Sequence, residues 1–172
     1  MSDGSTLDDV RQAGENRAAV IGRRVALAVM TLIVLIGATG FLGVKARTVR
    51  ASGSGYTMTL TYPQIARPGL DIPWRLTVHH PGGFSGNVVV AVSNRYWDIF
   101  EFQGLHPEPS DESANSDFVY LTFAPPPEGD SLSVSLDTYV QPSSQIGRDA
   151  TTKVIVDGST VAQVHYTTWL VP

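Results

Sequence analysis

Four histidines are the first residues of this 172-residue chain that could bind a metal or transfer a proton. His79 and His80 are adjacent in a segment whose alternation predicts a strand, whereas His106 and His165 lie far away in sequence. Because neighbouring side chains of a strand point to opposite faces of a sheet, His79 and His80 are not placed to share one ion. A structural zinc site usually needs four ligands. We therefore expect solvated or hydrogen-bonded histidines, no metal site and no cofactor.

A second group of potential ligands lies in an acidic segment that could coordinate calcium through carboxylate oxygens. Its members are Glu108, Asp111, Glu112 and Asp117. Their spacing lacks the D-x-[DN]-x-[DN]-G pattern of calcium-binding loops. The segment 104–115 is also rich in Pro and Ser, so it is predicted to be a long exposed loop.

No motif for catalysis or nucleotide binding occurs in the sequence. The pattern G-x-S-x-G is absent, and the segment 83–86 reads only as a glycine-rich turn. A phosphate-binding loop, a dinucleotide fingerprint and H-E-x-x-H are absent as well. The chain has no Cys, which excludes a thiol nucleophile and any disulfide. A catalytic pair of carboxylates stays an alternative, because the distance between two such groups depends on the three-dimensional fold. We expect a protein that is not an enzyme.

Aromatic side chains are the remaining candidates for a functional role, because Tyr and Trp often anchor protein contacts. A run is formed by Tyr96, Trp97, Phe100 and Phe102, and Trp169 lies near the C-terminus. Exposed aromatic residues here would form a partner surface, whereas buried ones would belong to the core.

Charge argues against one class of partner. The chain from residue 51 onward carries five basic and twelve acidic residues. An acidic surface repels phosphate backbones, so we expect no nucleic acid to bind. Acidity also keeps many domains soluble without any further role.

An uncharged segment precedes the acidic part of the chain. Residues 1–24 form a polar head, and residues 25–44 contain no charge. Twenty helical residues at 1.5 Å each span about 30 Å, the hydrocarbon thickness of a bilayer. The segment is predicted to be one transmembrane helix that serves as a signal anchor in a plasma membrane. A cleaved signal peptide is the alternative, which would release a secreted binding protein.

Orientation follows from the basic residues beside this segment. Four arginines lie in residues 1–24 and three basic residues lie in residues 45–50. The adjacent pair Arg23 and Arg24 favours a cytoplasmic N-terminus and a C-terminal domain outside the membrane.

Small residues thin one end of the predicted helix. Gly37, Gly40 and Gly43 recur every three residues, and Thr39 with Gly43 has small-xxx-small spacing. Such spacing permits close approach of two helices, so a homo-oligomer through the helix is one interpretation.

The rest of the chain shows the pattern of an all-β domain. Residues 45–55, rich in Gly and Ser at their end, are predicted to be a linker, and residues 56–172 form the domain. About seven alternating segments follow with turns between them, and 94–103 is either a strand or one helical turn. Asp157 and Gly158 predict a hairpin. Without intervening helices, antiparallel strands close most simply into a two-sheet sandwich.

Two stretches carry a resemblance to a known group. Pro68 and Gly69, followed by an alternating strand, a Gly-rich turn and the segment 88–93, resemble the opening of bacterial Ig-like modules. The segment 127–136 is similar to a later strand of that group. The resemblance implies an antiparallel immunoglobulin-like sandwich acting as a spacer or docking surface. It does not imply a ligand site, and the paired Cys of antibody-type domains is missing.

These observations predict an interaction or assembly module at the cell envelope, held by one membrane helix. Its partner would be the lipid bilayer together with another membrane or envelope protein. The alternative is an ectodomain that senses a ligand or a metal.

Overall fold

The computed structural model describes residues 17–38 and 43–171. The chain divides into two compact units, residues 1–42 and residues 43–172. Most of the predicted polar head lies outside the described residues. The elements in chain order are α1 (Arg17–Ala38), β1 (Lys45–Gly53), β2 (Tyr56–Ala66), β3 (Trp74–His79), β4 (Val88–Ser93), α2 (Asn94–Trp97), β5 (Phe100–His106), β6 (Asp111–Ala114), β7 (Phe118–Phe123), β8 (Ser131–Val140), β9 (Arg148–Val156) and β10 (Ser159–Leu170).

The N-terminal helix α1 has 22 residues, and it is long and apolar enough to cross a membrane. It begins earlier than the predicted span 25–44 and contains Arg23 and Arg24. Gly37 lies on the helix, whereas Gly43 lies beyond it in non-helical backbone, and Gly40 lies outside the described residues. The predicted glycine face is therefore wrong at Gly43, which is not part of α1.

Residues predicted to be a linker form the first strand instead. β1 pairs with β2 in antiparallel register from Lys45 opposite Ile65 to Gly53 opposite Tyr56. Val49 and Ala51 pack against the core, which gives this polar segment an inward side. The flexible linker 45–55 is wrong because the pairing strand, not local composition, decides its conformation.

The strands form two sheets, as predicted for an all-β sandwich, although there are ten of them rather than about seven. The first sheet contains β1, β2, β3, β8 and β5. The second contains β10, β9, β4, β7 and β6. β10 also pairs with the end of β2 in parallel, so one strand belongs to both sheets. β4 has neighbours on both sides, as its nearly continuous apolar sequence predicts.

Alternating side chains fill the space between the sheets. On β2 the residues that face inward are fully or almost fully buried, whereas the three Thr between them are only partly buried. Because successive side chains point to opposite faces, β2, β3, β8, β9 and β10 supply every second residue to one core over most of their length. The most deeply buried large side chains are Trp74, Tyr96, Phe123, Met58, Leu60 and Leu76.

The predicted hairpin joins β9 and β10. Asp157 and Gly158 have φ values of 49° and 74°. Positive φ at both central residues matches the twist of antiparallel strands, and Asp-Gly tolerates it well. The sequence prediction is confirmed at this turn.

Candidate functional site

The aromatic run 96–102 is mostly core. The segment 94–103, predicted to be a strand or one helical turn, contains both: residues 94–97 form the helical turn α2, and β5 begins at Phe100. Tyr96 is 0%, Trp97 8% and Phe100 2% exposed. The predicted partner surface is therefore wrong at these three residues, because α2 turns Tyr96 and Trp97 inward and Phe100 points inward at the start of β5. Trp169, at 62% exposed, and Phe102, at 49%, are the members of this set that face solvent.

Tyr96 is held in the core by a chain of hydrogen bonds. The Thr168 hydroxyl donates to the Pro63 carbonyl over 2.6 Å. The same hydroxyl lies 3.0 Å from the Tyr96 hydroxyl, so it must accept from Tyr96. Thr168 is 0% exposed, and these bonds satisfy polar groups that would otherwise be costly to bury.

A second phenol extends this polar cluster. The Tyr166 hydroxyl pairs with the Thr152 hydroxyl at 3.0 Å and accepts from the Trp74 indole at 3.5 Å. The Tyr96 and Tyr166 rings meet edge to face, with centroids 5.2 Å apart. Burial raises the pKa of both phenols, that of Tyr166 to about 12. Neutral phenols in this position stabilise the fold and offer no acid or base near neutral pH.

Alkaline pH is expected to unfold the domain through these two phenols. Tyr166 has a folded pKa of about 12 against 10.0 for an ordinary tyrosine. The unfolded chain loses this proton first, so stability is complete below pH 10 and falls as the pH rises towards 12. Tyrosinate absorbance and circular dichroism, recorded together, should show exposed tyrosines ionising before Tyr96 and Tyr166 ionise with loss of structure. Ionisation of all six tyrosines near pH 10 in an intact fold would contradict the assignment.

A groove lies where the two sheets remain open at one side. β5 is the last strand of the first sheet and β6 is the last strand of the second. The chain passes from one to the other through residues 107–110, and the groove encloses about 930 Å³. Residues 102–106 of β5 and residues 108–112, which are the connection and the start of β6, line it in continuous runs.

The floor of this β5–β6 groove is apolar. Trp97 and Phe102 contact each other there, with ring centroids 4.8 Å apart, and Phe102 is 49% exposed. Leu105, Val119 and Leu121 complete the floor. An exposed aromatic ring above a buried indole is the kind of surface that protein contacts use as an anchor.

The rim of the groove is acidic. Glu108, Asp111 and Glu112 line it, and no Lys or Arg does. His106, also on the rim, lies 3.4 Å from the Asp137 carboxylate outside the groove. The rim is therefore negatively charged at neutral pH.

The acidic segment proposed as a loop is partly a strand. Asp111–Ala114 pairs with β7 as β6, with all four side chains exposed. Asp117 lies beyond it, outside the groove lining. Among the residues that the structure describes, no group of three or more side chains could hold a metal ion. The extended geometry of β6 explains this, since it spreads the carboxylates along an edge.

The adjacent histidines have separate environments, because His79 ends β3 and His80 lies beyond it. His79 lies 3.4 Å from the Asp130 carboxylate. His80 contacts the Gly83 carbonyl at 2.6 Å and stacks on Tyr56, with ring centroids 4.1 Å apart. Each ring thus has its own partners.

A smaller hollow on β4, β9 and β10 brings together Ser93, Asp149 and His165. These are the residue types of a hydrolytic triad, but their hydrogen bonds run elsewhere. Ser93 exchanges bonds with the backbone of Thr151, and His165 contacts the Thr151 hydroxyl at 2.8 Å. Asp149 accepts from Thr167 at 2.6 Å. No relay from carboxylate to imidazole to hydroxyl is formed.

Sequence reasoning did not find the groove. Phe102 belongs to the aromatic run and Glu108 and Glu112 to the acidic segment, but nothing local places these residues on edge strands of different sheets. The Pro-rich turn between two short segments was a usable signal, because it could connect two edge strands.

Several solved structures of bacterial and archaeal domains are similar to this chain. No protein-family model matches the sequence, and no match was found among curated proteins. The N-terminal domain of the Streptococcus gordonii adhesin Sgo0707 is similar over 62% of this chain, with 13% identity and a TM-score of 0.44. This chain spans 30% of that adhesin chain.

Two cohesin modules are similar over more of their length. The cohesin module of a Clostridium perfringens family 33 glycoside hydrolase is 10% identical, with 70% of this chain and 97% of that chain covered and a TM-score of 0.42. A non-cellulosomal cohesin from Archaeoglobus fulgidus is 14% identical, with 74% and 92% covered and a TM-score of 0.39. No partner or ligand is carried over from these proteins.

Proposed function

We propose that this chain is a non-catalytic protein-interaction module that α1 anchors in a plasma membrane, with the β domain outside. The observation that carries the proposal is the β5–β6 groove. It combines a partly exposed aromatic ring, an apolar floor and a charged rim, which together are typical of surfaces that bind another protein.

The shape of the groove favours a polypeptide over a compact ligand. Its lining follows five consecutive residues of β5, 102–106, and continues through the connection 108–110 to the first two residues of β6. At about 3.3 Å per residue, such a run is over 10 Å long. An extended chain can contact the whole length of this lining, whereas a compact small molecule would contact only part of it.

Sequence and structure support the anchor. The helix has the length and composition of a membrane span, and none of its described residues is buried. Ten large apolar side chains of α1 are at least 46% exposed, which is unfavourable in water and favourable in lipid. The arginines before and within α1 favour a cytoplasmic N-terminus.

Sensing of a metal has less support in the geometry. The four histidines lie on different strands or faces, and each has a protein partner within 3.4 Å.

The proposal predicts that a partner shields the groove in the native membrane. Because the chain has no Cys, single cysteines at Gln103, in the groove, and Ser133, exposed on β8, give unique labelling sites. In intact cells, a membrane-impermeant maleimide should label Ser133→Cys quickly and Gln103→Cys several-fold more slowly. After purification of the full chain in non-ionic detergent, both should react at similar rates.

Two outcomes would contradict the proposal at different points. Failure to label Ser133→Cys until the membrane is opened would place the β domain inside the cell. Equal labelling of both cysteines in intact cells would show that nothing covers the groove.

A further inference from the structure

We propose that the β5–β6 groove binds an extended segment of a partner protein that carries Lys or Arg between apolar residues. This segment adds to β5 as a further strand. The inference rests on the proposed function and names the chemistry of the partner.

The free edge of β5 supplies the backbone contacts. β5 pairs with β8 on one side, and it ends the strand order among the described residues. An edge strand presents unpaired N–H and C=O groups, and an incoming strand can satisfy them. The bulge at Gln103 divides this edge into 100–102 and 104–106. The Phe100 and Glu101 carbonyls already accept from side chains of Gln141 and Thr138, so the part at 104–106 is the one proposed to pair.

The floor selects apolar side chains at alternate positions. Phe102 is the most exposed aromatic residue of the groove, at 49%, and Leu105 and Val119 are partly buried beside it. A strand laid along β5 would point every second side chain towards this floor. Burial of those side chains together with the Phe102 ring is the apolar contribution to binding.

The rim selects basic side chains. Glu108, Asp111 and Glu112 face the groove without any Lys or Arg among its lining residues. Residues that alternate with the apolar ones point away from the floor, where they meet these carboxylates. Opposite charge on a partner raises the association rate and disfavours acidic competitors.

A buried hydrogen-bond donor among the residues that line the groove also supports the binding of a polypeptide backbone. Trp97 is 8% exposed, and its indole Nε1 has no hydrogen-bond partner among the described residues. A buried N–H without an acceptor is costly, so most such groups are paired. Phe102 covers this indole, and a shift of that exposed ring would open the donor to a carbonyl of the added strand.

Three matched peptides test the proposal against the purified full chain in non-ionic detergent micelles. They are Lys-Val-Lys-Val-Lys-Val-Lys, the same sequence with Glu for Lys, and the Lys peptide with alternate backbone N-methyl groups. Fluorescence anisotropy should show saturable binding of the Lys peptide. The Glu peptide and the N-methyl peptide should each bind at least about tenfold more weakly.

Charge-matched variants place the binding at the groove. Glu112→Lys should weaken binding of the Lys peptide about tenfold. Glu128→Lys, an equal charge change at an exposed turn residue outside the groove, should leave it unchanged.

The named outcomes separate this inference from the function proposed above. Binding of the Lys peptide that N-methylation does not weaken would overturn the strand addition. No binding at about 1 mM peptide, or equal loss with both variants, would overturn the basic partner segment. If Gln103→Cys is nevertheless shielded in cells, the interaction module stands and only its partner chemistry is wrong.

Discussion

Replacing Trp74 by alanine is expected to lower the free energy of unfolding by about 3–5 kcal/mol, a large part of the stability of a domain of this size. Trp74 is 2% exposed, and its ring packs 5.9 Å from that of Trp97. Truncation leaves a cavity between the sheets and removes the donor to Tyr166. Urea denaturation of the full chain in non-ionic micelles, followed by circular dichroism, measures the change.

Trp169→Ala is the matched control for this experiment. Trp169 is 62% exposed, so its loss should change the free energy of unfolding by less than about 0.5 kcal/mol. A similar effect of the two substitutions would contradict the burial assigned to Trp74. A partner that uses Trp169 would instead lose affinity for this variant without any change in its stability.

Tyr96→Ala is expected to cost about 3–5 kcal/mol, because α2 drives this side chain fully into the core. Tyr96→Phe keeps the ring and removes only the hydroxyl that donates to Thr168, so about 1 kcal/mol should be lost. The same urea titration compares the two variants. The difference between them separates ring packing from the hydrogen bond.

A double-mutant cycle tests the bond itself. Thr168→Val removes the hydroxyl that joins Tyr96 to Pro63. If the bond exists, the combined effect of Tyr96→Phe and Thr168→Val will differ from the sum of the single effects by about 0.5 kcal/mol or more. Additive effects would contradict this polar link.

Much of the fold could be predicted because strand alternation is a local signal. The run from Tyr56 to Tyr62 shows its buried face directly in the sequence, and Asp157 with Gly158 specifies its own turn. The apolar helix was equally readable, although α1 begins eight residues earlier than its uncharged part.

The remainder depends on partners that are distant in sequence. β1 is mostly polar, and it is a strand because β2 pairs with it along nine residues. β6 has four exposed residues and no apolar face, so only its pairing with β7 defines it. The groove arises at β5 and β6, one edge strand of each sheet, and no local pattern in either segment shows that these two edges lie beside each other.

The parallel pairing between β10 and β2 has a consequence for how the domain moves. β10 pairs with both β2 and β9, so the two sheets cannot separate at that side without breaking the hydrogen bonds between β10 and one of these strands. Amide exchange there should therefore require near-global opening. At the opposite side, among the described strands, β5 and β6 end the strand order and do not pair with each other. Opening motions should therefore concentrate between β5 and β6, where they widen the groove for a bound segment. The side where β10 pairs with β2 should move least.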